Sequence, residues 1–192
     1  AVIIGSARID ERGKISGGQA GNQTGKELST QNWYLHSKGW RVFRAKSAEK
    51  AEKIARAMKS ACENRNIGYD QYQRNTLYNL VKSRGFDPSK ADKPTETDCS
   101  ALVRVCCCYA DIMVGDFNTS TEASMLLATG EFVELAGDKY TKQDDYLGAG
   151  DILDLGHDLI PLGMREHDVH AEAGHQADDA LRHGEGFAVE GE

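Results

Sequence analysis

A cysteine placed directly after a helix-capping aspartate is the residue of this sequence with the clearest chemical use. Asp98 can cap a helix that begins at Cys99 and runs to about Asp111, with apolar residues on nearly every face. A thiol in that first turn feels the positive end of the helix dipole, which can lower its pKa from about 8.5 toward neutrality and make it a thiolate nucleophile. The unpaired amides of the same turn can stabilise an oxyanion on an attacked carbonyl. A thiolate needs a basic partner, and His157, just after Gly150-Asp151-Ile152-Leu153, is the candidate. Each residue has an ordinary reading as well. A free cysteine is more commonly a small buried apolar side chain, and a histidine beside a glycine is more commonly a loop residue.

The elements that must position these residues follow from the pattern around them. Val2 to Ile9 and Trp40 to Ala45 read as strands, separated by a glycine-rich loop over Ile15 to Gly25. Ser47 is the expected cap of a helix with Ala51, Ile54, Ala55, Met58, Ala61 and Cys62 on one face and Glu49 and Lys53 paired outside. Asp70 is the expected cap of a second helix through Leu77, Leu80 and Val81, ended by Gly85 and Pro88. Ser120 or Thr121 opens a short helix, and Phe132 to Leu135 and Gly150 to Leu153 read as later strands. Helices early and strands late suggest α+β.

Composition narrows the class. The chain has 192 residues, 40% of them hydrophobic, enough for one globular domain with a real core. A formal net charge of -7 leaves no basic field for a nucleic acid. The longest apolar runs fall well short of the roughly 20 residues of a membrane helix. Five cysteines, three of them consecutive at Cys106, Cys107 and Cys108, form neither a disulfide framework nor a thiolate zinc site, and a reducing compartment is expected. No targeting segment is visible. Gly25-Lys26 lacks the spacing and the following Ser/Thr of a phosphate loop. From Met164 to Glu192, eight acidic residues and four of the six histidines stand against two arginines, so 164–192 is expected to be an acidic tail outside a domain spanning 1–163, loosely held or disordered. His167, His170 and His175 match no compact metal-ligand motif, so no metal site is expected.

Thr97-Asp98-Cys99-Ser100-Ala101-Leu102-Val103 resembles the nucleophile helix of the NlpC-type, papain-like cell-wall hydrolases. Gly17 to Glu27, Asn32-Trp33-Tyr34, Asn66 to Gln71 and Gln73 to Tyr78 resemble a bacteriophage and prophage subgroup of peptidoglycan amidohydrolases, and the resemblance covers about residues 5 to 153. It implies a papain-like α+β fold in which the central helix carrying Cys99 packs on an antiparallel sheet that bears the histidine. The implied reaction is attack of Cys99 on an amide carbonyl of peptidoglycan, a thioester, and its hydrolysis with histidine as acid and base. Tyr69 stands where the family has a tyrosine that helps position the oxyanion, and Ser100 joins it as a substrate-side residue. No cofactor is implied, and the partner is the bacterial cell wall. The expectation is a monomeric lysin made in the bacterial cytoplasm and acting at the wall, with secretion left open, that cleaves either the muramoyl to L-alanine amide or a bond within the stem peptide.

The sequence departs from the subgroup after Leu153. The family continues into Gly-His-Thr and a Val-rich strand, whereas here only Gly156-His157 matches and Pro161 would break the ladder of an inner strand. A replaced or frame-altered C-terminal segment accounts for this, and a search of the other reading frames for a Gly-His-Thr-Val continuation tests it. With His157 as base, His170, thirteen residues on, is the best-placed third polar group, against its plainer reading as one histidine of a solvated tail. Two rival functions remain: an impaired homologue that binds wall peptides without cleaving them, and a histidine-rich metal-binding protein.

Overall fold

The computed structural model describes residues 2–155 and 186–190. The order is β1 (Val2–Ala7), β2 (Leu28–Asn32), β3 (Arg41–Ala45), α1 (Ala48–Glu63), β4 (Ile67–Tyr69), α2 (Thr76–Val81), β5 (Thr95–Thr97), α3 (Cys99–Tyr109), α4 (Glu122–Ala128), β6 (Phe132–Glu134), α5 (Asp138–Thr141), β7 (Ile152–Asp154) and β8 (Gly186–Glu190). Strands β2-β1-β8-β7-β3-β6 form one antiparallel sheet, and β4 and β5 form a separate parallel pair. The fold is α+β.

Alternation along the strands splits the interior into two layers, as a period of two requires. Phe43 and Ile152 face a cluster with Ile54 and Met58 of α1 and Leu102, Val103 and Cys106 of α3. Val42 and Leu153, one residue away on each strand, face Ile4, Trp40 and Leu147 on the other side. Burying each such aliphatic side chain contributes about 1.5–3 kcal/mol, so the seating of α1 and α3 on the sheet is the main source of stability. Close approach is built in through glycine. A Cβ on Gly5 would lie 2.6 Å from Met58 Cγ, so β1 meets α1 where there is no side chain to hold them apart.

Helix starts follow the capping chemistry. Ser47 accepts from Lys50 N at 3.3 Å, and Lys53 pairs with Glu49 at 3.2 Å. Asp98 accepts from Ala101 N at 2.8 Å. Asp70 does something other than the cap expected of it: it accepts from Tyr72 N and Gln73 N and makes a turn, while α2 starts at Thr76 after Asn75. An aspartate can bond its own following amides in a turn as readily as in a cap. Strands β2, β4 and β5 escape the periodicity, because β4 and β5 have three residues each and β2 is largely polar. Gly186–Glu190, within the stretch read as an acidic tail, is β8 and pairs with both β1 and β7. Residues 156–185, with His157, Pro161, His167, His170 and His175, lie outside the described residues.

Candidate functional site

The parallel pair β4–β5 is the device that sets the start of α3. Ile67, Gly68 and Tyr69 stand opposite Thr95, Glu96 and Thr97, and Asp70 N donates to Thr97 O at 3.0 Å. Tyr69 is therefore held across from a residue two positions before Cys99. Its ring belongs to the main core cluster, and its hydroxyl accepts from Gln71 Nε2 at 3.2 Å.

Arg74 locks the same corner from the other side. Its Nε donates to Asp98 Oδ2 at 2.6 Å, its Nη1 to Asp116 Oδ1 at 2.7 Å, and its Nη2 to Ser100 Oγ at 2.8 Å and to the Phe117 carbonyl. Ser100 Oγ in turn donates to Asp98 Oδ1 at 3.2 Å. Ser100 is thus buried beneath the helix start, with its hydroxyl engaged by Asp98 and Arg74. Burial pushes the Asp116 carboxyl up, but hydrogen bonds from Asn75 and Arg74 outweigh it and hold the group below the usual carboxylate range. The guanidinium compensates the charge of the capping carboxylate beside Cys99, so the cap does not leave a bare anion next to the thiol.

The five cysteines divide sharply. Cys106 and Cys107 are fully buried, and burial raises their pKa well above the ordinary thiol value. Burial also raises Cys108, and it pushes Cys62 up to about 12 despite the nearby Arg8 guanidinium. Those four are held as neutral thiols at physiological pH. Cys99 is half-buried at the first position of α3, at the positive end of the helix dipole.

The glycine-rich loop before β2 spends its amides on the protein's own acids. Gly17 N donates to Asp70 at 2.8 Å, Gln19 N to Glu11 at 2.9 Å and Gln23 N to Glu27 at 2.9 Å, while Gly25 N donates to Asn22 at 2.7 Å. This accounts for its failure as a phosphate loop. It also uncovers residues the sequence reading passed over: Asp10, Asp70 and Glu96 are buried close together with Glu11 at their edge. Burial, reinforced by repulsion from Asp70, Glu11 and Asp10, pushes the Glu96 carboxyl up to about 7. An acidic residue in a strand next to a candidate nucleophile was the available signal. Among the described residues no three or more His, Cys, Asp or Glu side chains are arranged so that they could hold a metal ion, and no described helix is long and apolar enough to cross a membrane.

No curated protein and no solved structure matches the chain significantly. The family model for the endolysin-like domain matches residues 4–161, a span that takes in Tyr69, Glu96, Cys99, Ser100 and His157 but stops short of His170. With that match comes a coarse functional assignment, a phage-lysin type of hydrolase directed at cell-wall peptidoglycan. The chain belongs to the endolysin-like domain family.

Proposed function

We propose that this protein is a cysteine-dependent peptidoglycan hydrolase of the papain-like, NlpC type, a phage or prophage lysin that cleaves either the N-acetylmuramoyl to L-alanine amide or a bond within the stem peptide. The observation that carries the reading is the contrast among the cysteines: four are held as neutral thiols by raised pKa values, and Cys99 opens the helix that packs on the sheet.

The Cys99 thiolate attacks the amide carbon, and the carbonyl oxygen takes the negative charge against the first-turn amides of α3, with Tyr69 helping to position it. The tetrahedral intermediate collapses, the C–N bond breaks, and the leaving amine takes a proton from the His157 imidazolium. A thioester remains. The neutral imidazole then removes a proton from water, the hydroxide attacks the thioester carbon, and the thiol leaves with the carboxylic acid as the second product. His170 orients the imidazole in this scheme, and Ser100 acts on the substrate side by holding the helix start. No cofactor takes part, and the chain works as a monomer. It is made in the bacterial cytoplasm and acts at the wall.

The test is turbidity loss of purified peptidoglycan with wild type, Cys99→Ala and His157→Ala, followed by mass analysis of released fragments. Lysis lost in both variants supports the dyad and identifies the bond. Lysis that survives in Cys99→Ala overturns the proposal. The departure from the family after Leu153 favours a second reading, a homologue that binds wall peptides without cleaving them, and wall binding without lysis by the wild type would select it.

A further inference from the structure

Helix α3 carries one charged residue, Arg104, and that side chain does not stand out in solvent: it is 14% exposed. The plane of its guanidinium lies over the Tyr78 ring, with 3.7 Å from the guanidinium carbon to the ring centroid. Tyr78 packs in turn against Phe86, whose backbone holds a left-handed φ of 56° that a residue with a side chain rarely adopts. A strained backbone persists only where its surroundings over-determine it, and here it backs a stacked cation on the helix that opens at Cys99.

After α3 the chain turns at Asp111 and runs back along the helix without secondary structure over 112–118. Its anchors give the direction. Arg104 Nε donates to the Val114 carbonyl at 3.2 Å, whereas Arg74, seated on Asp98 and Ser100 at the helix start, donates to the Phe117 carbonyl. Ser100 and Arg104 are four residues apart, so they share one face of the helix, a single turn from each other. Asp116 stands between the two guanidiniums. Its Oδ1 accepts from Arg74 Nη1 at 2.7 Å and lies 3.9 Å from Arg104 Nη1, and its Oδ2 accepts from Asn75 Nδ2 at 3.0 Å. Asp116 and Phe117, two of the partners that hold Arg74, therefore belong to this loop, and the middle of the loop is held by Arg104.

We propose that Arg104 is a positioning residue for Cys99, on the reading of that cysteine as the nucleophile: stacked on Tyr78, it fixes Val114 and Asp116, these hold Arg74, and Arg74 holds the Asp98 cap from which the Cys99 turn starts. Arg104 lies about 7.5 Å along the helix axis beyond Cys99, so it acts through these partners rather than on a substrate. Ile112, Val114 and Phe117 are buried in the core and set where the loop lies, while the two arginines set how the Asp116 carboxylate is turned. A guanidinium suits the task better than an ammonium, because its plane can lie on a ring while its edge donates to a carbonyl and faces a carboxylate.

The experiment uses the full chain as wild type, Arg104→Met, Arg104→Lys, Asp116→Asn and the Arg104→Met/Asp116→Asn double variant, at a temperature where circular dichroism shows each of them folded. Two quantities are read: the rate of iodoacetamide modification at Cys99, located by mass spectrometry, and kcat and KM on solubilised peptidoglycan fragments. Arg104→Met is expected to lower both the modification rate and kcat about tenfold, with KM within about twofold of wild type. Arg104→Lys keeps a cation over Tyr78 and beside Asp116 and should recover most of that loss. The double variant should be no slower than the slower single one, because both substitutions interrupt one chain of contacts. Asp116→Asn, on the 46% exposed partner, reports the same loss should Arg104→Met melt early. A Cys99 modification rate in Arg104→Met within about twofold of wild type overturns the proposal, as does Arg104→Lys no faster than Arg104→Met, or a double variant in which the two losses multiply. Should the wild type cleave nothing, the hydrolase reading falls, and the modification rates alone decide whether Arg104 positions the cysteine.

Discussion

Replacing Asp98 with alanine removes three interactions at one point: the N-cap bond from Ala101 N, the acceptor for Ser100 Oγ, and the carboxylate that Arg74 Nε meets at 2.6 Å. Loss of an aspartate cap costs about 1 kcal/mol. Stripping one partner from a buried ion pair costs about 3–5 kcal/mol in full. The side chains of Arg74 and Asp98 are 18% and 10% exposed, and Arg74 keeps Asp116 at 2.7 Å, so about 2 kcal/mol is the fitting share. The sum, about 3 kcal/mol, lowers Tm by about 6–12 °C in a domain of this size. Asp98→Asn keeps an acceptor for Ala101 N but loses the charge, and is expected to cost about half as much. Thermal and urea unfolding of Asp98→Ala, Arg74→Met and the double variant measure the effect. The single losses should fail to add by more than about 0.5 kcal/mol. Additive losses, or a Tm within about 3 °C of wild type for Asp98→Ala, would refute the claim that this pair anchors the start of α3.

Three further outcomes follow from the same geometry. Gly68→Ala drives a methyl into the Gly21 backbone and is expected to destabilise by about 1–3 kcal/mol or more, read from the urea midpoint, whereas Gly39→Ala, with open space but positive φ, costs about 1 kcal/mol. Glu96 has a folded-state pKa of about 7 against an ordinary 4.5, so the folded protein holds a proton that the unfolded chain releases between those values. Its stabilising contribution is complete below pH 4.5 and is lost as pH rises to about 7, with Asp10, Glu11 and Asp70 as the facing charges. Urea unfolding below, within and above that interval should show wild type losing ground to Glu96→Gln as pH rises, and parallel curves would remove the shift from consideration. Iodoacetamide at neutral pH should modify Cys99 ahead of the other four cysteines, with mass spectrometry locating the adduct; preferential labelling of Cys62 would contradict the burial that holds it at about 12.

The helix that opens at Cys99 was legible because its signals are local. A capping aspartate, a run of apolar residues and a cysteine between them need only the helix period and the cap rule, and α3 begins at Cys99 as the spacing requires. The face of α1 was equally legible, with Ala51, Ile54, Ala55, Met58 and Ala61 all buried. What escaped is set by distant pairing. Arg74 gives no local sign that it will join Asp98, Asp116 and Ser100, because those partners are brought to it by two turns and a strand pair. Strand β8 is five residues within an acidic stretch, yet it lies between β1 and β7 in the middle of the sheet. A strand that short is recognised by its neighbours' unpaired edges rather than by its own pattern.

The β4–β5 pair links the acidic cluster to the start of α3. Three residues per strand cannot stand as a sheet in water, so the pair exists because both of its faces and one edge are covered. The core holds the Tyr69 face, the Thr76 hydroxyl bonds Glu96 N and the Glu96 carbonyl at the outer edge, and the glycine-rich loop lies on the Glu96 face. Repulsion between Glu96 and its acidic neighbours acts on the strand that leads, through Thr97 and Asp98, into the helix that opens at Cys99.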